Sequence, residues 1–312
     1  MIVALAEPPR RGYGTRGEMV MSLRDMALAV LTAVIWGLAF VLSVTALESF
    51  SPAQATALRF LIAALPVFVL PRPQLPLRQL IAIGLTLFTG QFLLIFFAYA
   101  QGLPAGLASV TQQLQAFFTI LLAAIVLRER PTARQVAGVV IAFSGMGLIA
   151  TTVGQDLPVI ALLLAIAAAF SWGVGNVLVK AAGPIPMFSL VAWASLVPPL
   201  PALLVSFIAE GGPSLPTALA TASWQSVAAI LYLGVIATTL AFAIWSRLLA
   251  CYPAALVAPF ALLVPCVGIV TSAVALGERF RPAQYGGMAL IVTGLAVTVL
   301  PGERVRQLVN FG

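Results

Sequence analysis

Long runs of apolar residues follow one another along almost the whole chain, separated by short polar or proline-containing stretches. A helix needs about 20 mostly apolar residues to cross the hydrocarbon core of a bilayer. The pattern therefore predicts an all-α integral membrane protein with ten transmembrane helices. The predicted spans are residues 24–46, 51–70, 77–98, 104–127, 131–153, 157–182, 185–209, 221–249, 255–276 and 282–300.

The polar stretches are too short to form a soluble domain, and the longest predicted connection is "EGGPSLPTALATAS" at 210–223. Residues 1–23 are expected to form a cytoplasmic tail, because their apolar run is too short for a secretory signal. The pair Arg10 and Arg11 lacks the sequence that a twin-arginine signal requires. Residues 301–312 are predicted to form a second cytoplasmic tail.

Composition supports a membrane protein, since 62% of the residues are hydrophobic and only 8% are charged. The net charge of +7 does not predict a nucleic-acid partner, because the basic residues lie mostly between apolar runs rather than on one face with interleaved aromatic residues. The lipid bilayer is therefore the predicted partner of the protein's apolar surface. Cys251 and Cys266 are expected to be buried thiols, which we favour over a disulfide.

The placement of basic residues predicts the orientation of the chain, because cytoplasmic loops carry an excess of Lys and Arg. With a cytoplasmic N-terminus, only Arg279 and Arg281 lie on the outer side, and Arg59 lies within the membrane. Both termini are therefore predicted to be cytoplasmic.

The chain also contains an internal repeat, because residues 104–147 align with 253–296 without a gap at a shift of 149. This alignment predicts two five-helix halves, 24–153 and 154–300. Since five is odd, the second half enters the membrane from the opposite side. Inverted-topology repeats of this kind are typical of secondary transporters with a central site near the midplane. The matched positions include Pro104 with Pro253, Glu129 with Glu278, Gln135 with Gln284, Gly138 with Gly287 and Gly145 with Gly294.

Short motifs give the chain a resemblance to a known family. They are "IWGLAF" in the first span, "ALRF" in the second, and the turns "LRERP" and "LGERF" after the fourth and ninth. In their order and spacing, from residue 24 to 300, the chain resembles the ten-helix EamA group of the drug/metabolite transporter superfamily. The resemblance implies a bacterial inner-membrane exporter of small metabolites, often amino acids, as in the YddG-type amino-acid exporters.

The sequence lacks the residues that several other functions require. It contains no phosphate-binding GxxxxGK[ST] motif, no histidine, and no acidic residue within a span interior. An enzyme, a cofactor and a metal site are therefore not predicted. Proton-coupled transporters generally carry an ionisable acid or histidine along the path, so we expect facilitated diffusion or exchange without proton coupling.

Arg59 is the leading candidate for a substrate-binding residue, since it lies eight residues into its span with no acid within ten residues. It either binds a substrate carboxylate in bidentate geometry or bonds to helix-end carbonyls or glutamines. Gln112 and Gln115 share one helix face, and Gln91 is expected to join them. These amides either bind both ends of a zwitterion or form interhelical hydrogen bonds.

Further polar and aromatic candidates lie on the first, third, sixth and eighth spans, with Lys180 near the cytoplasmic end of the sixth. Trp36 and Trp172 are related by the repeat, and Asn176 and Lys180 follow Trp172 on one face of the sixth span. Each has a simpler interpretation, either packing for the tryptophans or a positive-inside anchor for Lys180. Weaker aromatic candidates are Tyr99, Phe242 and Trp245.

Proline and small residues suggest where helices bend and pack. Pro259 and Pro265 in the ninth span are hinge candidates, although permanent kinks are equally consistent. The small-residue faces predict close helix contact, within one chain or across a homodimer. These faces contain Gly138, Ala142 and Gly145 in the fifth span and Gly287 and Gly294 in the tenth.

These features predict a secondary transporter that exports small metabolites, in particular amino acids including apolar or aromatic ones, by alternating access. A multidrug exporter of the same fold is one alternative, although a cation would match Arg59 and Lys180 poorly. A channel and a membrane scaffold without transport activity are more remote alternatives.

Overall fold

The fold is given by a computed structural model, which describes residues 21–154 and 157–299. Within these ranges the chain is helical and contains no β-strand, and the one isolated bridge joins Val153 and Leu157. Nine of the described helices are long and apolar enough to cross a membrane, and α2 is a shorter apolar helix. The ten helices are α1 (Leu23–Ala46), α2 (Pro52–Phe68), α3 (Leu77–Ala100), α4 (Ala105–Val126), α5 (Ala133–Ala150), α6 (Val159–Ala181), α7 (Met187–Glu210), α8 (Trp224–Cys251), α9 (Ala258–Leu276) and α10 (Pro282–Val299).

Each predicted span coincides with one of these helices, but the second is shorter than predicted. The regular part of α2 ends at Ala63, and a tighter 3₁₀ turn follows from Leu65 to Phe68. Pro66 explains the change, because proline has no N–H to donate and its ring crowds the preceding turn. The predicted tails lie almost wholly outside the described residues.

Local signals set the start of several helices. Ser51 and Gln54 form a capping box at the start of α2, and Thr132 and Gln135 form another at the start of α5. In each box the two side chains bond to each other's backbone N–H groups, which have no partner within the helix.

The predicted connection at 210–223 is not wholly irregular. It contains a short helix, Leu215–Thr221, with Pro216 in its first turn, where a missing N–H costs no hydrogen bond. The cysteine prediction was wrong about burial. Both thiols are free, but Cys251 is only partly buried and Cys266 is exposed.

Side-chain contacts join helix ends on the side where α1 begins, which we call the near side. Asp25 accepts hydrogen bonds from Arg247 and from the Tyr252 hydroxyl, both at 2.7 Å. Burial, together with the bond to Asp25, raises the pKa of Tyr252, which keeps its hydroxyl a donor. On the same side, Lys180 and Glu129 form an ion pair of 2.6 Å between half-exposed side chains.

A different set of contacts joins helix ends on the side where α1 ends, the far side. Glu210 accepts hydrogen bonds from the Ser51 hydroxyl and from the Ala53 N–H at the start of α2. Glu278 accepts from the N–H groups of Ala105 and Gly106 at the start of α4, at 2.6 and 2.9 Å. Two carboxylates from the second half of the chain thus cap two helices of the first half.

Helices α5 and α10 pack through the small-residue faces that the sequence identified. A Cβ atom on Gly145 would lie 2.6 Å from the carbonyl oxygen of Gly287, and one on Gly138 would lie 2.7 Å from that of Gly294. Such an approach of two backbones is open only to glycine. The two faces therefore pack against each other within one chain, and a homodimer stays a prediction.

We expect Gly145→Ala to lower the midpoint of thermal unfolding in detergent, because overpacking at a site that cannot relax costs about 1–3 kcal/mol. Gly147→Ala, two residues along the same helix, is the matched control, since nothing lies within 4 Å of its added Cβ. Alanine favours a helix, so the control should unfold at the same or a higher temperature. Equal midpoints for the two variants would contradict the packing described for α5 and α10.

Candidate functional site

A cavity of about 370 Å³ lies among the helices near their middle. Its lining includes every predicted substrate-binding residue except Lys180. These residues are Trp36, Arg59, Gln91, Tyr99, Gln112, Gln115, Trp172, Asn176, Phe242 and Trp245. Their role in binding stays a prediction, although the structure brings them together around one space.

Arg59 is held in the cavity wall by two contacts. Its Nε donates a hydrogen bond of 3.1 Å to the Thr238 hydroxyl, and its guanidinium carbon lies 4.0 Å from the centre of the Phe92 ring. Only 5% of the residue is exposed, and within the described part of the chain no acidic side chain pairs with it. In the described part of the chain its two terminal nitrogens form no hydrogen bond. Both are therefore available to bind a ligand in bidentate geometry.

Thr238 and Phe92 are the residues that the sequence analysis missed. Thr238 lies in a widened, π-helical segment of α8, Tyr232–Leu240, and its hydroxyl donates to the Leu233 carbonyl at 2.8 Å. Because the Thr238 hydroxyl donates its proton to Leu233, the hydroxyl oxygen accepts the hydrogen bond from Arg59. Nothing in the sequence separates this threonine from the other threonines of the apolar spans.

The glutamines take part in interhelical hydrogen bonds as well as lining the cavity. Gln112 Nε2 donates to the Ala165 carbonyl at 3.1 Å, and Gln91 Nε2 donates to Gln112 Oε1 at 3.4 Å. Asn176 donates to Gln115 Oε1 at 2.7 Å. The two interpretations in the sequence analysis are thus compatible for these side chains.

Aromatic residues form one wall of the cavity. The indole N–H of Trp36 donates to the Ala237 carbonyl at 3.0 Å. Its ring packs against Phe242 and Trp245, with centroids 5.3 and 5.2 Å away. The hydrogen bond satisfies the polar end of the indole, which leaves apolar ring surface toward the cavity.

Two helices that line the cavity contain a break or a 3₁₀ segment in their first half. Between Thr111 and Leu114 the regular turns of α4 break, and α9 begins with a 3₁₀ segment that contains Pro259. Pro265 lies in the regular helix that follows. Interrupted helices are common at transporter binding sites, but a hinge role for the two prolines stays a prediction.

The exposure of the lining residues indicates that the cavity is open at its near end and closed at its far end. Leu249 at the near end is 39% exposed, whereas Ser43 and Tyr99 at the far end are 5% and 8% exposed. A second cavity of about 520 Å³ lies on the far side, and Tyr99 lines both. Tyr99 therefore lies between the central cavity and the far-side cavity.

The structure places Lys180 outside the cavity lining, which favours the alternative interpretation of this residue as an anchor at the helix end. Its ammonium group pairs with Glu129 on the near surface, and its side chain is 52% exposed. A long side chain near a helix end extends toward water rather than into the protein, which explains why sharing a face with Asn176 was not sufficient.

Comparisons with known proteins agree with these features. A model of the EamA-like transporter family matches two segments, residues 24–151 and 159–300. A Salmonella typhimurium protein named probable amino-acid metabolite efflux pump is 42% identical over 294 residues, which cover 92% of this chain and 98% of that protein. An Escherichia coli protein of the same name is 39% identical over 300 residues, 94% of this chain and 100% of that protein.

Two more distant similarities extend over most of the chain. A Streptantibioticus cattleyicolor protein named probable terminal-alkyne amino-acid exporter is 29% identical over 281 residues, 85% of this chain and 90% of that protein. One solved crystal structure, 21% identical, matches with a TM-score of 0.59 over 92% of this chain and 99% of that one. The family matches and the relatives together show that the chain belongs to the EamA-like transporter family, and it is a multi-pass membrane transporter rather than an enzyme.

Proposed function

We propose that the protein is a secondary transporter that exports small metabolites with a free carboxylate, in particular amino acids with apolar or aromatic side chains. Transport proceeds by alternating access to the central cavity. The names of the relatives from Salmonella typhimurium and Escherichia coli, which refer to amino-acid metabolite efflux, support this substrate class.

Arg59 is the observation that carries the proposal. An arginine at membrane depth costs about 2.5–3.5 kcal/mol on insertion scales, and among the described residues no carboxylate offsets that cost. A substrate carboxylate supplies the missing anion and takes both terminal nitrogens in bidentate geometry. A purely cationic drug would instead be repelled by Arg59.

The rest of the lining fits the other parts of an amino acid. The amide oxygens of Gln91, Gln112 and Gln115 are acceptors for an ammonium group, and the wall formed by Trp36 and Phe242 accommodates an apolar side chain. The cavity of about 370 Å³ lies within the size range of small-molecule sites.

The architecture that we propose is two five-helix halves of inverted topology, residues 24–153 and 154–300. Two separate matches to one family model, 24–151 and 159–300, support this division. The interruptions of α4 and α9 fall at equivalent positions of the sequence repeat. The ten-helix arrangement requires α2 to cross the membrane together with the nine longer helices.

We further propose that the protein lies in the bacterial inner membrane with its near side in the cytoplasm. The near-side loops contain most of the basic residues, as cytoplasmic loops do, and this orientation gives both termini a cytoplasmic location. The cavity would then be open to the cytoplasm, the compartment from which an exporter takes its substrate.

The lining also favours transport without proton coupling. No carboxylate lines the cavity in the described part of the chain, and the sequence contains no histidine. Groups that would carry a proton near neutral pH are thus missing from the described lining of the central cavity. Facilitated diffusion or exchange is the mechanism that fits.

The first prediction concerns uptake of a labelled amino-acid panel into liposomes that contain the purified protein and excess unlabelled amino acid. We expect saturable uptake without an ion gradient, accelerated by the internal substrate. A requirement for a proton gradient would contradict exchange without proton coupling, and a lack of saturation would favour a channel.

The second prediction concerns Arg59. We expect Arg59→Gln to lower the kcat/KM of uptake by about ten- to a hundredfold, because hydrogen bonds to a charged partner contribute about 1.5–3 kcal/mol. Arg72→Gln removes an exposed arginine of the near side and serves as the control, with uptake unchanged. Unchanged uptake by a folded Arg59→Gln protein would contradict carboxylate binding at Arg59.

The third prediction concerns access to the cavity, measured in a protein with Cys251 and Cys266 replaced by serine. Cysteine at Ser246, in the open part of the lining, should react quickly with a water-soluble maleimide. Cysteine at Ser43, at the closed end, should react slowly. The reverse order would place the opening on the far side.

A further inference from the structure

Glu278 lies on the far side at a place where the two halves of the chain meet. Its carboxylate, on the turn after α9, accepts the two N–H groups that open α4. Gly106 makes this approach possible, since a Cβ there would meet the Ser272 side chain and lie 2.7 Å from the Phe280 ring. A carboxylate at a helix start is stabilised by these N–H groups and by the helix dipole.

The sequence repeat gives Glu278 a counterpart on the near side. The shift of 149 relates Glu278 to Glu129, and Ala105 and Gly106 to Ala254 and Ala255. Ala254–Val257 is the helical turn that leads into α9. At the positions equivalent to Ser272 and Phe280 the sequence has the smaller residues Ala123 and Pro131.

The two glutamates are presented by the same backbone geometry. The residue before each is left-handed, with φ of 66° at Gly277 and 55° at Arg128, and Arg128 is the one non-glycine residue with positive φ in the described chain. The Glu278 N–H bonds the Ser272 carbonyl at 3.4 Å, and the Glu129 N–H bonds the equivalent Ala123 carbonyl at 3.3 Å. A positive φ is unfavourable for arginine. Arg128 nevertheless adopts it, which indicates that the backbone turn presenting Glu129 has a role in the protein.

The partners of the two glutamates differ in this structure. Glu278 caps the start of α4 on the closed far side. Glu129 lies on the open near side, where it pairs with Lys180 and is 45% exposed.

We propose that Glu278 and Glu129 are gate residues that act in alternation. In the state described here, Glu278 clasps the start of α4 and holds the far side shut, while Lys180 holds Glu129 aside. In the opposite state Glu278 is released, and Glu129 clasps the N–H groups of Ala254 and Ala255 and shuts the near side. The inference rests on the alternating access proposed above, but it does not depend on the identity of the substrate.

The test is the rate at which a membrane-impermeant maleimide, applied from the far side, labels a cysteine at position 43 in the background without native cysteines. We expect Glu278→Gln to speed labelling about tenfold, the effect of weakening charge-assisted hydrogen bonds. Glu129→Gln should slow it, because the clasp it removes is stronger than the half-exposed pair with Lys180. The two changes together should bring the rate back toward that of the parent protein.

Two further variants make the test specific. Lys180→Gln removes only the present partner of Glu129 and should speed labelling about twofold, the small effect typical of an exposed ion pair. Glu48→Gln removes an exposed carboxylate from the far-side cavity that takes part in neither clasp, and it should leave the rate unchanged.

Opposite effects of Glu278→Gln and Glu129→Gln would support the proposal, and effects in the same direction, or none, would overturn it. If Glu278→Gln does not fold, the Glu129 and Lys180 variants decide the question, since both side chains are half-exposed. Labelling needs no substrate. Opposite effects on labelling without amino-acid uptake would therefore support the two gate residues and contradict only the proposed substrate class.

Discussion

The structure depends on one constraint, which is that polar groups at membrane depth must find partners inside the protein, because lipid offers none. Most of the buried polar side chains satisfy it locally or across a helix contact. Ser43 bonds the carbonyl four residues earlier, and Trp36 bonds Ala237 on α8. Arg59 is one exception, since its partners account for one nitrogen and one face of a planar group with three nitrogens. Gln91 is another, because its buried side-chain oxygen has no hydrogen-bond partner in the described part of the chain. An exception of this kind locates the part of the protein where water and ligand enter.

Much of the fold could be predicted from the sequence because the membrane imposes a length and a composition on each helix. The runs of apolar residues located all ten helices, and the small-residue faces identified the contact between α5 and α10. The early end of α2 and the helix Leu215–Thr221 were not predicted, because both depend on how proline affects neighbouring turns. The exposure of Cys266 was missed for a different reason, since an apolar span does not reveal which of its faces meets lipid.

The candidate site was predictable where a residue type was out of place in an apolar run, as with Arg59, Gln112 and Asn176. Lys180 followed the same pattern and did not reach the cavity, because a helix face fixes direction but not depth. Thr238 and Phe92 were invisible to the same reasoning. A threonine or a phenylalanine is ordinary in an apolar helix, and only the tertiary arrangement brings these two against the guanidinium.

The π-helical segment of α8 has a consequence for how the cavity wall can change. A π turn contains one residue more than the α-helix that could replace it, so the residues before and after it are out of phase around the helix axis. Removing one residue between Tyr232 and Leu240 would restore the regular period and turn Thr238 away from Arg59. The two ends of α8 would keep their positions in the membrane. Single-residue insertions and deletions usually disrupt a packed helix. In this segment they would change which side chains line the cavity while the rest of the fold stays the same.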